Sequence, residues 1–114
     1  MTTLYGISNC DSVAKAKKWL KQADIDFAFV DFRKDGIKLE QVSAWASAVG
    51  IEKLLNKRGT TWRKLDDEQK ALEGTEDLVA LMTENPTLIK RPVLDAQGRI
   101  EVGFNADLYT DILQ

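Results

Sequence analysis

The stretch Leu4-Tyr5-Gly6-Ile7-Ser8-Asn9-Cys10-Asp11-Ser12-Val13 decides how the rest of the chain is read. An apolar run, Thr3 to Ile7, has the character of a buried strand. Ser8 and Asn9 are turn formers, and Asp11 and Ser12 are cap-type residues. Beyond them Val13, Ala16, Leu20 and Ala23 recur at helical spacing, with Trp19 beside Leu20 and Lys15, Lys17, Lys18 and Lys21 on the wet face. The turn therefore delivers Cys10 to the start of a helix. Asp24-Ile25-Asp26 ends that helix. Phe27 to Phe32 reads as a second strand, with Phe27, Phe29, Val30 and Phe32 suited to burial on two faces. Strand, helix and strand within about 30 residues predict a right-handed βαβ unit with parallel strands.

Working outward, the composition changes at the turn Arg33-Lys34-Asp35-Gly36. Leu39, Val42, Trp45, Ala46 and Val49 form one helical stripe, stopped by Gly50. Ile51 to Leu55 is a short helical turn. Asn56-Lys57-Arg58-Gly59-Thr60-Thr61 is a basic loop, followed by one turn at Trp62 to Leu65. Asp66 to Leu72 is a weak helix. Thr75 or Glu76 opens another, with Leu78, Val79, Leu81 and Met82 as its apolar face and Pro86 as its end. Val93-Leu94 is a short strand, Ala96-Gln97-Gly98-Arg99 a hairpin turn, and Ile100 to Val102 the returning strand. Asn105 caps a last helix carrying Leu108, Tyr109, Ile112 and Leu113. The order β-α-β, helical stretch, β-β-α predicts an α/β, thioredoxin-like mixed four-stranded sheet. Its core is about 1–33 and 86–114, with a helical insert at about 36–85.

The bulk numbers narrow the function. The chain has 114 residues, 44% hydrophobic and 30% charged, which suits one globular domain. A net charge of −2 gives no general attraction to nucleic acid or anionic membrane. No apolar run approaches the roughly 18 residues of a membrane span. Met1-Thr2-Thr3-Leu4 lacks a basic flank and a signal-type core, so the cytoplasm is the expected compartment. One cysteine excludes an internal disulfide and Cys-x-x-Cys cycling. The absence of histidine removes Cys-His and Ser-His catalysis and imidazole metal ligation, so no metal site is expected. Backbone, lysine or arginine must then activate the thiol.

The first turn of a helix carries unpaired N–H donors and roughly half a positive charge. Cysteines at such positions are often thiolates at neutral pH. Lowering a thiol pKa by two units takes about 2.7 kcal/mol. A helix end supplies about 1–2 of that, so a neighbouring cation must add to it. The bland reading makes Cys10 a buried filler. Its polar flanks, and the place that α/β folds give to chemistry, favour a reactive one. Arg91-Pro92 admits two readings, a plain strand start or a cis peptide with Arg91 over the thiolate. Lys57, Arg58 and Arg63 are either a solvated face or anion binders. Trp19, Trp45 and Trp62 read as core anchors.

The turn Tyr5 to Asp11, the loop Leu54 to Leu65, and Ile89-Lys90-Arg91-Pro92-Val93 with Val102-Gly103-Phe104 resemble the ArsC/Spx family. The likeness is closest to its YffB-type, ArsC-like reductases and covers essentially the whole chain. The resemblance implies a nucleophilic Cys10, a cis Pro92 and thiol chemistry with glutathione as co-substrate, no bound cofactor, and glutaredoxin as a partner. Cys10 and Arg91 would be catalytic, while Asn9, Asn56, Lys57, Arg58 and Pro92 would bind substrate or glutathione. The substrate would be a small-molecule or protein disulfide, and the protein a monomer. In the family's arsenate reductases three arginines hold the oxyanion. Here one falls on Arg91, a second on Asn56 with Arg58 two residues on, and the third near Gly103. The cradle is therefore incomplete, which leaves arsenate reduction as an alternative. Spx-type regulators carry a second cysteine where this chain has Val13, so their disulfide switch is not available. A non-enzymatic Spx-like binding module is the further alternative.

Overall fold

The computed structural model describes residues 2–113. In chain order the elements are β1 (Thr2–Gly6), α1 (Asp11–Gln22), β2 (Phe27–Asp31), α2 (Leu39–Val49), α3 (Ile51–Leu54), α4 (Thr60–Arg63), α5 (Asp67–Lys70), α6 (Thr75–Glu84), a 3-10 turn (Pro86–Leu88), β3 (Val93–Ala96), β4 (Arg99–Val102) and α7 (Ala106–Leu113). Two compact units result: Met1–Asp35 with Arg91–Gln114, and Gly36–Lys90. No helix among the described residues is long and apolar enough to cross a membrane.

The first unit is a mixed sheet of order β2-β1-β3-β4. β1 and β2 run parallel, while β1–β3 and β3–β4 are antiparallel, which is the thioredoxin-like arrangement. The βαβ expectation holds because the helical stripe of α1 buries Val13, Ala16 and Leu20 in one cluster with Leu4, Leu94 and Tyr109. Trp19 and Phe104 meet Tyr109 edge-on, at ring centroid separations of 5.6 and 5.2 Å. Position 6 must be glycine. A Cβ there would lie 2.6 Å from Val13 Cγ2, so α1 could not seat so close to the end of β1. Asp24, at φ 57°, ends α1, and the Ile25 N–H returns to the Leu20 carbonyl. Gln97 and Gly98, both with positive φ, make the two-residue hairpin turn. Asn105 caps α7 as expected, its Oδ1 accepting from Leu108 N–H at 3.1 Å.

Two details of the first unit differ from expectation. Neither Asp11 nor Ser12 caps α1; Cys10 is the cap residue, in extended conformation. The helix begins at Asp11, so both members of the polar cap-type pair lie inside its first turn. Leu108 is exposed, because the face of α7 that enters the core is centred on Tyr109, about 100° away around the helix.

The second unit is helical. α2 packs against α6, burying Val42, Trp45 and Ala46 from one and Leu78, Val79, Leu81 and Met82 from the other. Leu39 opens α2 and stays exposed, so the inner stripe starts at Val42. Asp66 and Gln69 form a reciprocal capping box that makes one turn of an otherwise weak segment. Pro86 starts the 3-10 turn after α6, and Leu88 and Ile89 are fully buried. The Asn56 N–H bonds Leu88 O at 2.7 Å and the Lys90 N–H bonds Leu54 O at 2.8 Å.

Candidate active site

The parallel pair β1–β2 carries its carboxyl ends to one edge of the sheet, the usual place for chemistry in α/β folds. Gly6 is the last residue of β1 and pairs with Asp31, the last of β2. The β1–β3 register pairs Tyr5 with Val93, and one step further along it Pro92 falls opposite Gly6. Thus the loop leading to Cys10, the end of β2 and the Arg91–Pro92 peptide share one end of the sheet. That peptide is cis. Pro92 is buried and its carbonyl accepts from Gly103 N–H at 2.8 Å, while Arg91 is half-buried.

Cys10 occupies the junction of loop and helix. Its carbonyl closes the first turn of α1, accepting from Ala14 N–H at 3.0 Å. Its side chain makes no capping bond. The residue is half-buried, packed against the rim of the core cluster, with Asn9 exposed before it. The amides of Asp11, Ser12 and Val13 are those a helix leaves without intrahelical partners. A thiol on the cap residue of this helix is thus next to the positive end of the macrodipole. No group of three or more potential metal ligands exists among the described residues.

The loop is held by a carboxylate. Asp31 Oδ2 accepts from the Ser8 hydroxyl at 2.5 Å and the Ser8 N–H at 3.2 Å. Its Oδ1 accepts from the N–H groups of Arg33 at 2.9 Å and Lys34 at 3.3 Å. The Asp31 carbonyl also takes the N–H of Lys34 and Asp35, and Phe32 N–H bonds Gly6 O. Asp31 is only 7% exposed. The Ser8 hydroxyl first, then the amides of Arg33, Lys34 and Ser8, hold its carboxyl below the ordinary carboxylate range, against burial, which pushes it up.

The remaining nominated residues belong to the helical unit. Asn56 is half-buried, and its Oδ1 accepts from Arg58 N–H at 3.0 Å, closing a local turn. The Arg58 carbonyl accepts from Arg63 Nη2 at 3.3 Å. Lys57 Nζ lies 5.3 Å from the Trp62 ring centroid, a cation–π contact that covers a half-buried indole. These three residues border a cavity of about 640 Å³ whose apolar wall includes Ile51, Leu55 and Leu78.

A sequence model of the ArsC family matches residues 5–112. The chain belongs to the ArsC family. An uncharacterized protein of Haemophilus influenzae is 42% identical over 109 residues, spanning 96% of both chains. The solved structure of the YffB protein superposes with a TM-score of 0.96 at 40% identity over the full length of both chains. The global transcriptional regulator Spx of Enterococcus faecalis is 32% identical over 94% of this chain and 82% of its own.

Within this ArsC-family chain the Arg91–Pro92 peptide is cis, as the resemblance implies, but the sequence reading missed the structural part played by Asp31. The signal was there: a single acid inside the apolar run Phe27-Ala28-Phe29-Val30-Asp31-Phe32. Charges in strands are usually read as wet-face residues. A carboxylate at the carboxyl end of the parallel edge strand β2, next to a turn, is instead placed to collect amide donors.

Proposed function

We propose that this ArsC-family chain is a glutathione-dependent thiol oxidoreductase, working in the cytoplasm as a monomer with one nucleophile, Cys10. What supports the reading is the position of the only cysteine: the cap residue of α1, half-buried, at the carboxyl end of β1. In the reaction the Cys10 thiolate attacks a mixed disulfide of substrate and glutathione. A Cys10–glutathione disulfide forms, and the substrate sulfur leaves as a thiolate that takes up a proton. A second glutathione thiolate, free or passed on through glutaredoxin, attacks the adduct, releases oxidised glutathione and restores the Cys10 thiolate. The second thiol comes from outside because the chain has no other cysteine. Arg91 stabilises the thiolate and orients an anionic group. Asn9 and Pro92 contact the substrate, and Asn56, Lys57 and Arg58 take glutathione carboxylates. No bound cofactor or metal takes part.

Turnover is the test. Purified protein should reduce a small glutathione mixed disulfide with glutathione as reductant, and Cys10→Ser should abolish the activity; equal rates in the two proteins would overturn the proposal. Arsenate reduction is the alternative chemistry, supported by the family. Arsenite production with glutathione and glutaredoxin above a protein-free control would favour it. The likeness to Spx supports a second reading, a regulatory binding module without turnover. Recovery of RNA polymerase in a pull-down, with a chemically inert Cys10, would favour that reading.

A further inference from the structure

A cavity of about 420 Å³ opens on the loop that carries the cysteine, lined by Ile7, Ser8, Asn9, Asp31, Arg33 and Lys34. Its volume is in the range of small-ligand sites. Asn9 is bonded directly to Cys10, so their α-carbons lie about 3.8 Å apart. Two of the lining residues are cations, both exposed. The only acid is Asp31, whose charge already faces four hydrogen-bond donors, two of them the Arg33 and Lys34 amides. One carboxylate therefore fastens both walls, the Ser8 side and the Arg33–Lys34 side, and leaves the two side-chain charges for a ligand.

We propose that this cavity is the substrate subsite for the carboxylate of a small thiol or disulfide whose sulfur reacts at Cys10, with Arg33 and Lys34 supplying the attraction and Asn9 a side-chain donor. The assignment rests on the reading of Cys10 as the nucleophile, and it names the class of substrate: carboxylate-bearing, not neutral. Neither cation stands out in the sequence, where Arg33-Lys34-Asp35-Gly36 reads as a turn and nothing more. The Asp31 bonds convert that turn into one wall of a pocket beside the cysteine loop.

The test compares two alkylating probes of similar size, anionic iodoacetate and neutral iodoacetamide, by the rate at which each modifies Cys10. The ratio of rates is defined whether Cys10 reacts fast or slowly, so it stands apart from the turnover assay. Replacing both cations, Arg33→Gln with Lys34→Gln, should lower the iodoacetate-to-iodoacetamide ratio about 3- to 10-fold at low salt. The loss should shrink at about 1 M salt, where the screening length falls to about 3 Å. A control, Lys21→Gln with Arg99→Gln, removes the same charge from the opposite end of the same unit and should leave the ratio unchanged. An unmoved ratio in the first variant, an equal fall in the control, or a fall that salt does not diminish would each overturn the subsite.

Discussion

Replacing Asp31 by asparagine tests whether one carboxylate holds the cysteine loop. The change keeps the size of the side chain but presents an NH₂ to one pair of donors. If that NH₂ takes the Oδ2 place it faces Ser8 N–H, a donor against a donor; the Ser8 hydroxyl can rotate to accept, but the amide cannot. If it takes the Oδ1 place, the Arg33 amide loses its acceptor instead, and the Lys34 amide keeps only its bond to the Asp31 carbonyl. At least one charge-assisted bond is lost either way, and every survivor becomes a neutral one. A bond to a charged group contributes about 1.5–3 kcal/mol. Ser8, Arg33 and Lys34 are exposed, so water recovers part of this. The expected cost is about 1–3 kcal/mol, which for a chain of this size is a fall in Tm of about 4–12 °C.

The pH dependence separates this account from a packing defect. The Asp31 carboxyl is held below its ordinary range in the folded protein, chiefly by the Ser8 hydroxyl. A carboxyl with a lowered folded pKa contributes stability above its unfolded value, about 3.9, and loses it as pH falls through the folded one. Urea unfolding at pH 7 should therefore show the full difference between Asp31→Asn and the parent protein. The difference should narrow only below about pH 4. Equal stability at pH 7, or a gap that stays constant down to about pH 2.5, would refute the reasoning.

Other perturbations follow from the same geometry. Gly6→Ala drives a methyl onto Val13 Cγ2; a stiff, fully buried valine yields poorly, so a loss of about 1–3 kcal/mol is expected in chemical denaturation, and adding Val13→Ala should recover part of it. Tyr109 is buried, and burial together with the Glu101 charge raises its phenol well above the ordinary range. In a Tyr5→Phe variant, phenolate absorbance should therefore appear only with unfolding, and stability should decline as pH rises above about 10; a reversible titration near pH 10 in the folded state would contradict this. If Arg91 steadies the thiolate, Arg91→Ala should slow mixed-disulfide turnover about 10-fold, with Arg91→Lys intermediate, read as initial rates at saturating glutathione.

The fold was legible because each apolar run is short and bounded by turn residues, and each helix shows its stripe. Val13, Ala16 and Leu20 predict a buried face, and all three are fully buried. The parallel pairing of β1 and β2 followed from the helix between them. What could not be read was anything decided across distance. Ser8 and Asp31 are 23 residues apart; the lone acid in an apolar run marks Asp31 as unusual, but nothing local says which turn it holds. The cap of α1 was misassigned for a related reason. Cap preferences favoured Asp11 and Ser12, but the short reach from Gly6, held close against Val13, starts the helix early and leaves Cys10 as the cap. Whether Arg91–Pro92 is cis is likewise settled by tertiary surroundings, not by the dipeptide.

The arrangement also explains why an acid belongs at the end of β2. The loop from Ile7 to Cys10 exposes Ser8 and Asn9 and has no regular partner strand, so left alone it would sample many conformations. An apolar contact could bury it but would not fix its direction. A carboxylate gathers donors from two chain segments at once, and being charged it makes each bond stronger than a neutral acceptor would. Because those donors engage the charge of Asp31, its negative field toward the cysteine loop is reduced, while the side-chain charges of Arg33 and Lys34 remain. One residue then does two things that would otherwise conflict: it anchors the loop electrostatically, and it leaves the surroundings of Cys10 hospitable to an anion. Asp31→Asn and the Arg33/Lys34 double change should accordingly separate. The first should move stability most, and the second should move the choice between charged and neutral probes.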